Sequence, residues 1–489
     1  MQDLLAWLDT LPAQKPADEL TSLHHRLTSF RGSITTNDER AIVLDRFFTR
    51  SMAVAEAAMP KLSCTTVPIP RKTRQLVRLL QDLTHSLATD FIVLFNALEA
   101  RAGADSLPQK ALALRCSLIL LAQHLTVSDL VAAPSGTGIW QLLHQTYDKV
   151  RQLGLEGQST ASDTHTIRQI YCSAILLGCA QPASFTSKEV GFVVANLDRF
   201  ARQVEWVDGT TTEAPEEFWI DPTRDSPAVA CSRKPAPTDT LVYYFSCARI
   251  AASLRKQLTA IESGRPAEEL NAPDFAKTNA GRGVLRRLIA NWGEPGKRRF
   301  TRRRQHDRAI LCAGLDSLWR LFQDKTTENI ETSSWMITNQ SPDGYAIMHL
   351  SGATENVTVG DICAVRADSE DEWQICIVRW ALSENQEHLE LGLQILATNA
   401  VPAFLAQPNK THINADSGHA SVLILPETPP LRANEMLVTT SGTIECQATH
   451  LILVIEQENV GIREVINTAL HEQNSRIEVF AIESDEPND

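Results

Sequence analysis

The sequence lacks the short motifs by which many enzymes and metal sites can be recognised. It contains no G-x-S-x-G motif, no H-E-x-x-H motif and no phosphate-binding loop, because the glycines at 134–138 are not followed by Lys and Ser or Thr. Its ten cysteines form no C-x-x-C pair and no tight cluster, which favours reduced, buried thiols. We therefore expect no enzymatic activity and no bound metal or other cofactor.

Long hydrophobic runs are missing as well. No uninterrupted apolar stretch reaches the roughly 20 residues that a membrane-spanning helix needs. The first residues, Met1-Gln2-Asp3-Leu4, lack the basic region of a signal peptide. These two observations predict a cytoplasmic protein without a membrane span.

The chain is long enough for two or three domains, since it has 489 residues and 43% of them are hydrophobic. Residues 1–290 carry apolar residues at helical spacing, for example Leu20, Leu23, Leu27 and Phe30. They therefore predict an α-helical domain, in which residues 205–238, rich in Pro, Asp and Thr, form a long irregular connection.

The pattern changes after residue 308 to short apolar runs separated by Gly, Asp, Asn and Ser, as in antiparallel β-structure. We predict six strands, at 308–313, 333–339, 344–350, 361–367, 373–381 and 388–396, with a short helix at 314–323. Residues 406–489 predict a further β-rich domain with one helix at 461–472 and an acidic tail. The fold class is thus multidomain α + β, with an all-α region followed by a six-stranded barrel and a C-terminal β-rich segment.

Positive charge is concentrated in one place. The formal net charge is −13, but residues 297–308 hold seven Lys or Arg and one Asp, which gives +6 there and leaves −19 for the rest. A broadly acidic protein with one cationic segment is suited to bind an anion at that segment. We call residues 297–308 the basic arm.

Two motifs lie at the start of the predicted barrel and between two of its strands. Arg304-x-x-x-Arg308, preceded by Arg303, lies at the end of the basic arm, and Asn339-x-Ser341-x-x-Gly344 joins the second and third strands. Guanidinium groups bind phosphate oxygens in pairs and stack on purine rings, whereas Asn and Ser offer hydrogen bonds to a base or a phosphate. A ligand with two phosphates and two purines would satisfy both motifs.

In motif order and strand context, residues 297–405 resemble the PilZ family, which binds cyclic di-GMP through an RxxxR arm and a D/NxSxxG turn on a six-stranded antiparallel barrel. The resemblance implies that Arg304 and Arg308 hold phosphates and stack on guanines, with Arg303 as an additional contact. It also implies that Asn339, Ser341 and Gly344 form the opposing surface.

The register of the arginines stays open, because the basic arm also contains Arg298-x-x-x-Arg302 and Arg299-x-x-x-Arg303. We prefer Arg304 and Arg308 because they directly adjoin the predicted strand.

The resemblance predicts a second-messenger receptor that passes its signal to a protein partner, which we expect to bind the helical region. The basic arm joins the two domains, so we expect that its ordering by ligand reorients the helical region. In the alternative, the domains are already fixed against each other, and a partner recognises the local surface that the ligand changes.

Two alternative functions remain. One is nucleic-acid binding by the basic arm, which the acidic remainder and the single aromatic residue of the arm disfavour. The other is a scaffold whose PilZ-like domain binds no ligand.

Overall fold

The computed structural model of the protein describes residues 2–10, 15–33, 36–100, 106–160, 163–207, 215–264, 273–297, 299–324, 330–355, 357–385, 387–406, 419–429, 432–444, 448–456 and 460–484. The predicted acidic tail at 485–489 lies outside these residues.

The N-terminal part of the chain forms helices around one large apolar core. Two capping boxes, at Thr36 with Glu39 and at Thr186 with Glu189, each begin a helix. The helices are α1 Gln2–Thr10, α2 Pro16–Arg31, α3 Asn37–Leu62, α4 Arg71–Glu99, α5 Leu107–Leu130, α6 Ile139–Gln152, α7 Ile167–Cys179, α8 Ser187–Ala201, α9 Ala248–Glu262, α10 Asp274–Lys277 and α11 Asn279–Gly293. We call α1–α11 the helical region.

Among the helices that the structure describes, one is long and apolar enough to cross a membrane by length and composition alone. It is α5, Leu107–Leu130, and 78% of its most apolar window is buried inside the protein. Its apolar character is therefore accounted for by packing within the helical core.

The predicted irregular connection at 205–238 is wrong in part, because short strands form there. They are β1 Glu205–Val207, β2 Glu217–Ile220 and β3 Val229–Ala230, and β4 Tyr243–Ser246 follows just after this range. They pair in the order β1-β4-β2-β3. Runs of two to four residues give too little alternation to be recognised as strands, and it is their pairing that stabilises them.

The predicted six-stranded barrel is confirmed as a closed antiparallel barrel, which we call the first barrel. The strands are β5 Arg303–Ala313, β6 Thr332–Ser341, β7 Gly344–Gly352, β8 Ile362–Ala367, β9 Gln374–Asn385 and β10 His388–Ala397. Their order around the barrel is β10-β7-β6-β5-β8-β9. The predicted short helix follows β5 as α12, Leu315–Asp324.

The predicted start of the first strand at residue 308 is wrong, because β5 begins at Arg303. Arg303 and Arg304 pair with Gln340 and Asn339 of β6, so their backbones belong to the barrel. A run of polar and charged residues carries no apolar alternation, which is why the sequence did not reveal this end of the strand.

The C-terminal part forms a second closed six-stranded barrel. Its strands are β11 Val401–Leu405, β12 Ala420–Leu425, β13 Glu435–Thr440, β14 His450–Glu456, β15 Val460–Gln473 and β16 Ile477–Ser484. Strand β11, which the predicted boundary at 405 assigns to the first barrel, pairs with β12 and β14.

The predicted helix at 461–472 is wrong, because these residues belong to β15. This strand pairs with β14 on one side and β16 on the other. Its pairing with β16 has irregularities at Asn467/Ala469 and Leu470/Glu472, and such bulges interrupt the period of two. Apolar residues at 462, 465, 466, 469 and 470 consequently imitate helical spacing.

The three parts of the chain contact one another directly. Cys312, Ile362 and Ile377 of the first barrel share an apolar cluster with Val438 and Val479 of the second. On the helical side, the Ser383 amide donates to the Ala132 carbonyl oxygen at 2.8 Å, and the Ile69 amide donates to Ser383 Oγ at 3.1 Å. The first barrel is thus held against both neighbours.

Candidate functional site

The three predicted arginines lie on the first six residues of β5, and all three side chains are exposed. In the part of the chain that the structure describes, the guanidinium groups of Arg303, Arg304 and Arg308 form no ion pair and no side-chain hydrogen bond. Unpaired guanidinium groups keep their full capacity for bidentate bonds to an anion.

The alternative registers differ in position. Arg298, which begins the first of them, lies outside the described residues. Arg299 precedes β5, so in the second alternative only Arg303 lies on the barrel. The pair Arg304 and Arg308 is the one in which both residues belong to β5.

Arg304 lies directly opposite Asn339, and Arg308 lies opposite Met336. Met336 is on the outer face of the barrel because Trp335 and Ile337 on either side of it are in the core. Asn339 is also on the outer face, because the irregularity after Ile337 pairs it with Ala346, next to the core residue Ile347. The pairing register of β5 and β6 thus brings Arg304 and Asn339, the first residues of the two motifs, next to each other. The sequence alone shows only the order of the two motifs along the chain.

The strands carry irregularities at this end of the barrel. Between Arg304 and Asp307 on β5, two residues face the single Thr338 of β6. Between Ile337 and Asn339, β6 in turn has one residue more than β7. Each extra residue increases the local twist and bends the strand, so this end of the sheet curls where the motifs meet.

The Asn339 side chain is half-buried, and its amide forms no hydrogen bond within the described residues. Because an amide offers both donors and an acceptor, this group is available to a ligand on the outer face. Of the three residues of the turn motif, Asn339 is the one that the structure leaves free to bind.

Ser341 is buried and its hydroxyl is already engaged. Ser341 Oγ donates to Asp343 Oδ1 at 2.7 Å and also lies 3.2 Å from the Gly344 carbonyl oxygen. The Asp343 carbonyl oxygen accepts from the Ile395 amide at 2.9 Å, which joins the turn to β10. The geometry therefore gives Ser341 a part in shaping the turn.

Gly344 begins β7, where it pairs with Gln394 of β10. A Cβ atom at this position would lie 2.0 Å from the Leu393 carbonyl oxygen, which is backbone and cannot move aside cheaply. Close approach of two strands is thus sufficient to require glycine here.

The outer-face row that starts at Arg304 and Asn339 continues across the barrel. Asn339 pairs with Ala346, Ala346 with Gly392, and Gly392 with Trp380. A Cβ on Gly392 would lie 1.8 Å from Trp380 Nε1, so the indole lies over this glycine. Trp380 was not assigned to the site from the sequence. A glycine and a tryptophan on consecutive predicted strands are nevertheless a signal that could have indicated this contact.

On the inner side of the same end, Tyr345 of β7 faces Gln340. Burial raises the pKa of the Tyr345 phenol well above its ordinary value, and the nearby Glu370 acts in the same direction. The phenol therefore stays protonated beneath the turn.

Metal ligands are not assembled anywhere in the described ranges, which contain no group of three or more His, Cys, Asp or Glu side chains that could hold an ion. The nine described cysteines are unpaired, and seven of them are buried. Burial raises the pKa of the Cys116 and Cys172 thiols to about 12, which keeps them protonated.

Comparison with known proteins agrees with this geometry. A family model described as the middle PilZ domain of the cyclic di-GMP receptor FimW matches residues 320–402. A second model, for the N-terminal domain of the same receptor, matches residues 2–209.

The first barrel is a PilZ domain.

A curated relative, the cyclic di-GMP receptor FimW of Pseudomonas aeruginosa, is 18% identical over an alignment that covers 90% of this chain and 83% of FimW. The helical region and the first barrel thus both have counterparts in one receptor. The matched PilZ residues include Asn339, Ser341, Gly344 and Trp380, whereas Arg303, Arg304 and Arg308 lie before residue 320. Their assignment therefore depends on motif and register.

Proposed function

We propose that this PilZ protein is a receptor that binds cyclic di-GMP on the outer face of the first barrel. The observation that carries the proposal is the direct pairing of Arg304 with Asn339, at the place where β5 and β6 are bulged. The ligand would lie between the exposed arginines and the turn at 339–344.

The arginines would supply most of the binding energy. Arg304 and Arg308 project from the same face of β5. Among the described residues neither guanidinium is paired with a carboxylate, so no ion pair has to be broken before a ligand binds. Each can bind a phosphate through two nitrogens and stack its plane on a guanine ring. Arg303, next to them on the strand, is a further candidate contact.

The opposing surface would be formed by the turn. The Asn339 amide can pair with the edge of a base, while Ser341 and Gly344 keep the turn in shape and let β7 approach β10. Ser341 and Gly344 would therefore support ligand binding through the position of Asn339.

Signal output would pass through the residues between α11 and β5. The last residue of α11 is Gly293 and the first of β5 is Arg303, so nine residues separate the helical region from the site. Ligand on Arg304 would order the part of the basic arm that precedes the strand, and a protein partner would detect the change beside the helical region.

The existing domain contacts favour a local change. Ser383 is fully buried between Ile69 and Ala132 of the helical region, so a rotation of the two parts would break two hydrogen bonds in a buried place. We infer that a partner reads the altered surface around the basic arm. We also propose that the protein acts in the cytoplasm and catalyses no reaction.

Calorimetric titration of the full chain tests the proposal. Cyclic di-GMP should bind with a Kd of about 1 μM or tighter, which corresponds to roughly −8 kcal/mol. A single-stranded oligonucleotide at two salt concentrations tests nucleic-acid binding by the basic arm. Absence of heat with cyclic di-GMP up to about 1 mM would refute the proposal.

A further inference from the structure

A second cationic site lies where the helical region meets the β9–β10 hairpin. A cavity of about 520 Å³ is lined there by Arg71, Arg74 and Arg78 of α4, together with Gln75, Leu79, Asn385 and Glu387. Its volume is in the range of pockets that hold small ligands. We call it the arginine pocket.

The three arginines share one face of α4. Positions 71, 74 and 78 follow helical spacing, so their Cα atoms extend over about 10 Å along the axis. In the described residues, none of the three takes part in an ion pair. Like charges at this spacing repel one another, so the arrangement costs free energy as it stands.

Arg74 is the most informative of the three. Its Nε and Nη1 atoms are buried and have no hydrogen-bond partner. Burial lowers the pKa of this guanidinium, and the neighbouring Arg78 lowers it further, while Glu384 acts in the opposite direction. Buried donors are nearly always satisfied in proteins, so two unsatisfied nitrogens on one guanidinium indicate a missing acceptor.

The start of the helix adds to the positive potential. Helix α4 begins at Arg71 after Pro70 and has no side-chain cap, so its first backbone amides have no intrahelical acceptor. A helix of 29 residues directs a partial positive charge to this end. The arginines and the helix end thus favour the same charge sign of ligand.

The opposite wall of the pocket is held in place and carries negative groups. Ser383, at the base of the hairpin, is anchored to Ile69 and Ala132. Beyond it, Asn385 and Glu387 line the cavity, and Glu384 lies close enough to influence Arg74. Three arginines thus face the carboxylates of Glu384 and Glu387, so the pocket has one positive charge in excess. A ligand could place negative groups against α4 and a hydrogen-bond donor against the hairpin.

A neighbouring cavity of about 430 Å³ lies along α2 and is lined by His24 and His25 among others. Leu79 lines both cavities, so the two are adjacent. A ligand longer than a phosphate group would have space along α2.

We propose that the arginine pocket binds the phosphate groups of a small ligand, either free pyrophosphate or the phosphates of a nucleotide. The phosphate oxygens would satisfy Arg74 Nε and Nη1 and lie between Arg71 and Arg78. In a nucleotide, an amino group of the base would meet the Glu387 carboxylate. The site is separate from the Arg304 face and does not depend on binding of cyclic di-GMP there.

Titration of the full-length protein with sodium pyrophosphate and with GTP, at constant ionic strength, tests this proposal. Arg74→Gln should weaken binding at least about tenfold, the effect of losing one charge-assisted interaction. The variant should remain folded, because Arg74 is only half-buried and two of its nitrogens have no hydrogen-bond partner to lose. Arg78→Gln, at an exposed position, should reduce binding in the same direction.

Lys72→Gln is the matched control, since it removes one positive charge from the same helical turn without changing a residue of the pocket. It should bind both probes as the unmodified protein does. Equal losses in Lys72→Gln and Arg74→Gln, or no binding of either probe up to about 1 mM, would overturn the proposal.

The two sources of phosphate are distinguished by Glu387→Gln. If a nucleotide is bound, this substitution weakens GTP and leaves pyrophosphate unchanged. If GTP binds no more tightly than pyrophosphate and Glu387→Gln affects neither, the pocket recognises phosphate alone.

Discussion

Arg304 and Asn339 lie directly opposite each other on antiparallel strands, on the outer face of the first barrel. Opposed residues in such a pair have Cβ atoms about 5 Å apart. Two motifs separated by more than 30 residues in the chain are thereby joined into one surface that can bind one ligand. The bulges in β5 and β6 are located at this pair.

Arg304→Ala and Arg308→Ala should each weaken cyclic di-GMP binding by roughly 1.5–3 kcal/mol, which is the contribution of a hydrogen bond to a charged group. Neither side chain is buried, so the melting temperature should hardly change. Calorimetry and thermal unfolding on the same samples measure both effects.

Arg320→Ala provides the comparison, because Arg320 is an exposed arginine on α12 next to the same barrel. It should leave cyclic di-GMP affinity unchanged. If it weakens binding as much as Arg304→Ala does, the attraction comes from general charge and the assigned contacts are wrong.

Gly344→Ala should lower the free energy of unfolding by about 1–3 kcal/mol in the absence of any ligand. The new methyl group would be 2.0 Å from the Leu393 carbonyl oxygen, so β7 and β10 must separate. Chemical denaturation measures the loss.

Gly296→Ala is the matched control, because a Cβ there meets no atom within 4 Å. Its stability should change by less than about 1 kcal/mol. A Gly344→Ala protein that is as stable as the Gly296→Ala protein would show that strand approach does not explain this glycine.

The sequence was informative where residue type and local spacing determine structure. The turn Ser341-Pro342-Asp343-Gly344 is set by neighbouring residues, and its place between the second and third strands was predicted correctly. Position relative to the strand could not be predicted for Arg303 and Arg304, because it depends on pairing with Gln340 and Asn339.

Contacts between segments that are distant in the chain could not be predicted from the sequence for the same reason. The arginine pocket exists only because the β9–β10 hairpin docks on the helical region through Ser383. Strand β15 resembled a helix because its bulges shift the apolar alternation. For the pocket the decisive partner is far away in the chain, whereas for β15 it is the neighbouring strand β16.

The Asp361 carboxyl should make the contact between the two barrels depend on pH. It accepts a hydrogen bond from Arg476 Nη1 at 3.1 Å and from the Thr358 amide at 3.0 Å, and it is almost completely buried. Burial raises the pKa of Asp361 to about 6, although Arg476 and Thr358 act in the opposite direction.

A folded-state pKa above the unfolded value means that the protonated form is favoured by folding. The stability contribution is then complete below about pH 4 and is lost as the pH rises through 6. Relative to Asp361→Asn, the unmodified protein should lose up to about 3 kcal/mol of unfolding free energy between pH 4 and pH 7.

Denaturation of both proteins across this range, with the exposed Asp371→Asn as control, measures the difference. The control should show no pH-dependent difference from the unmodified protein. If the difference in unfolding free energy between the unmodified protein and Asp361→Asn is the same at pH 4 and pH 7, the raised pKa of Asp361 is contradicted.

Binding of cyclic di-GMP should leave the domain contacts in place while it orders the surface around the basic arm. The amides of Ile69 and Ser383 bond between the helical region and the first barrel, so their hydrogen exchange reports on that interface. Ligand should slow exchange at 299–304 and 339–344, leave Ile69 and Ser383 unchanged and leave small-angle scattering unaltered. A ligand-dependent change in scattering, together with faster exchange at Ile69 and Ser383, would instead establish that the helical region is reoriented. Arg304→Ala separates the two sources of any change, because it should abolish the ligand effect at 299–304 without affecting the exchange of Ile69 and Ser383 in the free protein.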